Sequence, residues 1–173
     1  MHLLTHALAG WCFGSTFAPT PKERALCIGV SLLPDLDGLS ILGGTKAYWD
    51  YHHVIAHNLM FAVIVSLVAG GMGKCQGRGT VLFFAAMHLH YLMDFFGSGP
   101  VWGIAYFWPI SSHEYFSSYS WEIDGWQNFV ALGALVVWSL AIAVVKRRTP
   151  FEFVAPRLES AVFGLFDRLR AGQ

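Results

Sequence analysis

Five stretches of the chain are almost purely apolar: residues 2–18, 23–33, 58–73, 80–96 and 128–145. Polar or helix-breaking residues close each one. Pro19 and Pro21 follow the first, Pro34 the second, the Gly70-Gly71-Met72-Gly73 run the third, and Gly97 with Pro100 the fourth. The fifth is the cleanest and runs into Lys146-Arg147-Arg148. A bilayer-spanning helix needs about 20 apolar residues, so the first two stretches are short and are expected to be tilted, partly re-entrant or buried behind the other three. Ala7, Ala9, Gly10 and Gly14 suit the first to close helix contact. Proline pushes its predecessor away from the helical region, so the second is expected to stop at Pro34, with a loop from there to His57. The pattern predicts an all-α fold, an integral-membrane helical bundle of about five segments.

Past residue 148 the period changes. Leu158, Val162, Leu165 and Leu169 recur at helical spacing opposite Arg157, Glu159, Arg168 and Arg170. This predicts an amphipathic helix, lying on the inner leaflet or packed on the loops of the bundle. The expected division is a membrane bundle over 1–148 and a tail over 149–173.

Composition agrees. Of 173 residues, 55% are hydrophobic and 13% charged, against about 25% charged in soluble domains. A net charge of zero argues against nucleic acid as a partner, because phosphate binding needs a basic surplus. Cys12, Cys27 and Cys75 lack C-x-x-C spacing and read as small apolar residues, not as a disulfide framework or zinc knuckle. Residues 1–18 have no basic leader, so they are expected to be a retained first helix and not a cleaved signal. If the five segments alternate, Lys22 and Arg24, Lys74 and Arg78, and Lys146-Arg147-Arg148 all fall on one side, which the positive-inside rule makes cytoplasmic. The expected orientation in the cell inner membrane is N-terminus out, C-terminus in.

Polar residues interrupt the apolar stretches in one zone. His90 and Asp94 are four apart in the fourth stretch and share a helix face, whereas His88 points elsewhere. Ionisable groups at membrane depth are expensive and mark function by default. At about 1.5 Å per residue from the inner ends, His6, Asp35, His57, His90 and Asp94 fall at roughly 15–24 Å, one level in the outer half of the core. The alternative at each position is bland: a packing hydrogen bond for His90–Asp94, turn chemistry for Asp35 and Asp37. Shared depth favours a metal centre. Imidazole with carboxylate suits zinc first, with manganese or iron also fitting, as one or two ions.

Five motifs then occur in order: T-H-A-L-A-G at 5–10, L-L-P-D-L-D-G at 32–38, H-x4-H at His52 and His57, H-x3-D at His90 and Asp94, and W-P-I-S at 108–111. Together they resemble the bacterial membrane-bound metal-dependent hydrolases, also described as LexA-regulated inner-membrane hydrolases, over about residues 1–125. That family bears a distant likeness to zinc-dependent phospholipases C. The resemblance implies His6, Asp35, His57, His90 and Asp94 as metal ligands, with Asp37 and His52 close by. The family's third motif resembles H-R-G-x-T-H-S, whereas this chain reads His52-His53-Val54-Ile55-Ala56-His57-Asn58, so His53 stands in place of an arginine.

The expected function is a metal-dependent hydrolase acting on a membrane lipid or phosphoester near the outer interface. His6, Asp35, His52, His57, His90 and Asp94 are the expected metal ligands. Asp37 is the expected proton acceptor, and His53 the residue facing substrate. A divalent-cation transporter and a non-catalytic metal-stabilised scaffold are the rivals.

Overall fold

A computed structural model describes residues 1–73 and 76–172. Lys74 and Cys75, both used in the reading above, lie outside the described residues, as do the side chains of Leu169 and Arg170. All five apolar stretches are helical: α1 (Leu3–Phe17), α2 (Pro21–Leu32), α4 (Leu59–Gly71), α5 (Gln76–Gly97) and α6 (Trp126–Lys146). Two further α-helices, α3 (Thr45–Tyr51) and α7 (Pro156–Ala171), complete the set, and no strand occurs among the described residues. The fold is an all-helical membrane bundle.

Among the described residues, two helices, α5 and α6, are long and apolar enough to cross a bilayer. A third crossing is formed if α2 and the 3-10 segment Pro34–Gly43 count as one span bent by 42°. The chain therefore does not become a loop at Pro34. Proline removes one backbone donor and the helix continues in the tighter 3-10 form. The expected loop to His57 also holds α3.

Glycines set the closest contacts. At Gly10 an added Cβ would lie 2.8 Å from the Cys27 carbonyl oxygen, and at Gly14 2.8 Å from the Cys27 Cβ. The backbones of α1 and α2 meet here, as small residues in an apolar helix allow. At Gly70 the same atom would lie 2.8 Å from the Thr80 backbone nitrogen, which marks the crossing of α4 and α5. Cys27, Val30, Ala62, Phe83, Ala86 and Met87 fill the core between these pairs. The outer face of α6 stays apolar and exposed at Phe129, Val137, Leu140 and Val144, as a helix facing lipid does.

The end of the bundle opposite the histidines is tied by cations. A helix leaves its last carbonyls without partners, and positive charge suits that end. Lys146 donates to the carbonyls of Ser15 and Thr16 at 2.9 and 2.6 Å, and Arg78 to that of Phe17 at 2.6 Å. Arg24, almost fully buried, grips Glu152 through both carboxylate oxygens at 3.0 and 2.6 Å, and the Trp11 indole donates to the same carboxylate. Glu152 belongs to the short 3-10 turn Pro150–Glu152 after α6. α7 is held near α6 by Arg147 on Asp167 and by Thr149 donating to Glu159. Leu158, Leu165 and Phe166 of α7 remain exposed.

Candidate metal centre

Four parts of the chain meet at the other end. His6 sits on the second turn of α1, and Asp35 on the 3-10 segment where the bend after Leu33 turns it inward. His57 closes the connection between α3 and α4, and His90 and Asp94 lie one turn apart on α5. His6, His57, His90 and Asp94 are all at most 1% exposed.

Asp94 is the hub. Its Oδ1 lies 3.0 Å from His6 Nε2; its Oδ2 lies 2.9 Å from His90 Nε2 and 3.3 Å from His57 Nε2. Asp35 Oδ1 stands 3.9 Å from His90 Nε2. The Met1 amino group and the Ser98 hydroxyl also contact the Asp94 carboxylate. The rings of His6 and His90 lie 3.8 Å apart.

The histidine tautomers follow from their far sides. His57 Nδ1 is 2.8 Å from Asp37 Oδ2, and His90 Nδ1 is 2.8 Å from the Ser31 carbonyl oxygen. Both oxygens only accept, so each Nδ1 carries the proton and donates. In the neutral rings both Nε2 atoms are then bare acceptors, yet they face each other at 3.0 Å beside Asp94 Oδ2. Three acceptors on one point repel unless a cation lies among them. Against the burial that opposes it, Asp37 and Asp94 raise the His57 pKa to about 9. A proton answers the need for positive charge there, and a metal ion answers it equally.

The loop that carries His57 is over-determined. Asn58 accepts from the Phe61 N–H at 2.8 Å and caps α4, while its amide donates to the Val54 and Ile55 carbonyls. The Tyr91 hydroxyl donates to the Ala56 carbonyl at 2.8 Å. A side-chain oxygen is what the N-cap needs, and asparagine supplies it where the resembled motif has serine. His53 adopts a left-handed backbone, φ 65°, costly for a residue with a Cβ. Its N–H donates to Asp37 Oδ2 at 3.0 Å.

The expected residues divide. His6, Asp35, His90 and Asp94 place ligand atoms within 4.8 Å of one another, and so do His53, His57 and Asp94. His52 and Asp37 are not brought into either group. His52 Nδ1 donates to Asp37 Oδ1 at 2.6 Å. Asp37 also takes the His57 ring and the backbone N–H groups of His53 and Ala56, so its oxygens face away from the cluster. His88 turns aside, bonded to the Phe84 carbonyl and the Tyr106 hydroxyl.

Tyr91, Ser98 and the Ser31 carbonyl were not among the expected residues. Tyr91 stands next to His90 in the sequence, a signal that existed; a backbone acceptor leaves none. A polar cleft of about 60 Å³, lined by Asp35, Tyr48, His52, His53, Ser98 and Trp102, opens onto the cluster. A separate apolar groove of about 340 Å³, which shares no lining residue with that cleft, runs along α5 past His88, Tyr91, Leu92, Phe95, Tyr106 and Phe107. The Tyr91 ring also packs against His57, 5.6 Å between centres.

Apolar helices around a buried cage of imidazoles and carboxylates define an integral-membrane protein whose His/Asp groups could hold a metal ion. Residues 1–166 match the YdjM inner membrane protein family, and the chain belongs to that family. No curated protein and no solved structure matches it.

Proposed function

We propose that this chain is a membrane-embedded, metal-dependent hydrolase of the inner membrane, acting on a lipid or phosphoester. One observation carries the reading: the Nε2 atoms of His57 and His90, with both far sides already bonded, converge with Asp94 Oδ2. The donor set fits a divalent cation of the zinc class, being neutral imidazole and carboxylate. His6, Asp35, His57, His90 and Asp94 would hold it. Bound there, such an ion supplies Lewis-acid polarisation of a phosphoryl or acyl oxygen and acidifies water.

The remaining roles belong to the chain itself. Asp37 is a positioning residue: it fixes the tautomer and direction of His57, as carboxylates behind metal-binding histidines do. Asp35 would hold the ion through Oδ1, which faces His90, and its Oδ2, buried without a hydrogen-bond partner at the cleft, is the proton acceptor. This replaces the expectation that Asp37 accepts the proton, because all of its near neighbours are donors. His53 stays neutral, since burial pushes its pKa well below the ordinary histidine value. The apolar groove beside Tyr91 supports a substrate with an acyl chain. The cationic end of the bundle faces the cytoplasm by the positive-inside rule, so the cluster opens outward.

Metal content and turnover test this together. Wild-type protein purified without chelator is expected to carry a divalent metal that His57→Ala loses, and to cleave a member of a phospholipid and phosphodiester panel, with Asp94→Asn inactive. Equal, negligible metal in both proteins would remove the premise. Bound metal with no turnover on any ester would leave a metal-stabilised scaffold.

A further inference from the structure

The ligand atoms outnumber what one ion takes, and they sort into two groups that share only Asp94. His6, Asp35, His90 and Asp94 form one; His53, His57 and Asp94 form the other. Asp94 faces both groups: Oδ1 lies 3.0 Å from His6 Nε2, and Oδ2 lies 2.9 Å from His90 Nε2 and 3.3 Å from His57 Nε2.

His53 supplies the independent observation. Its ring is 2% exposed, its Nδ1 has no hydrogen-bond partner, and its Nε2 stands 4.0 Å from Asp94 Oδ2. That separation is too long for a hydrogen bond and lies within the spread of atoms around one cation. A buried imidazole on a left-handed backbone faces that carboxylate through Nε2 without touching it, and its other nitrogen, Nδ1, is buried without a partner.

We infer that Asp94 bridges two divalent cations, the first held by His6, Asp35 and His90 and the second by His53 and His57, so that His57 passes from the single-ion set to the second ion. This rests on the metal-centre reading above and extends it. A pair of ions bridged by a carboxylate suits a phosphate ester over a carboxylic ester, because two cations can share the charge of a phosphoryl group.

The test uses full-length protein in detergent, stripped with chelator and reloaded with Mn²⁺. Bound manganese is counted by elemental analysis, and spin coupling is read by electron paramagnetic resonance. Two ions per chain and a coupled signal are expected for wild type. His53→Gly is the chosen variant, because glycine accepts the positive φ and only the imidazole is lost. It is expected to bind one ion with an uncoupled signal, with unchanged helical circular dichroism. The wild-type spectrum needs no variant, so a misfolded His53→Gly leaves the question answerable. One ion per chain in wild type, still one in His53→Gly, would overturn the second site and leave the metal centre standing. No manganese in either would overturn both.

Discussion

His57 and His90 point their Nε2 atoms at each other across 3.0 Å, each ring already donating from its other nitrogen to Asp37 or to the Ser31 carbonyl. Neither neutral ring has a hydrogen to give the other. The pair is stable only with positive charge between or beside it, and this sets what perturbations of the cluster should do.

Asp37→Asn keeps the size of the side chain but weakens its hold on His52 and His57. Loss of such a supporting carboxylate typically lowers metal affinity 10–100-fold. We expect that drop in a competition titration against a chelating dye. Unchanged affinity with abolished turnover would return Asp37 to the role of proton acceptor.

The metal-free protein should lose stability in alkali. The His57 pKa is raised in the fold from 6.5 to about 9. A group raised on folding contributes its full stability below the unfolded value and loses it as pH rises through the folded one. Thermal melts of stripped protein in detergent should therefore fall between about pH 7 and 9 on that linkage, and added zinc should restore them. A flat profile over that window would mean that His57 is not the charged group.

Arg24→Met strands the Glu152 carboxylate, which is 9% exposed, at the cationic end. Breaking a buried pair from one side costs about 3–5 kcal/mol. The double variant Arg24→Met, Glu152→Met should recover most of the loss in melting temperature. If the single variant melts like wild type, the tie between α2 and the segment after α6 does not matter for stability.

His88→Phe should leave bound metal unchanged. His88 belongs to α5 yet bonds Phe84 and Tyr106 outside the cluster. Its loss removes two part-buried hydrogen bonds, each worth about 1 kcal/mol, visible only as a small shift in melting. A fall in metal content to the level of His57→Ala would show that the cluster extends around the helix.

Periodicity made much of this legible. The helix face shared by His90 and Asp94, and the shared depth of His6, Asp35 and His57, pointed to one meeting place because a helix has a fixed rise. α3 and the continuation past Pro34 were not legible, since Asp35-Leu-Asp37-Gly38 reads as a turn and the seven residues of α3 carry no long apolar pattern. The place of Asp37 and His52 behind the His57 ring was not legible for a related reason. Their separation from His57 in the sequence says that they are near it, not whether they stand in front of its ring or behind it. Only the folded connection puts them behind.

Gly10 and Gly14 stand a helical turn and more from His6, and neither touches the cluster. Yet α1 carries His6 and α2 leads to Asp35, and the gap between those two ligands is set where the helices press backbone to backbone. Two hydrogens in place of side chains act as the shim of the cage. A single methyl there would pry one jaw of the cage away from the other while every ligand remained in the sequence.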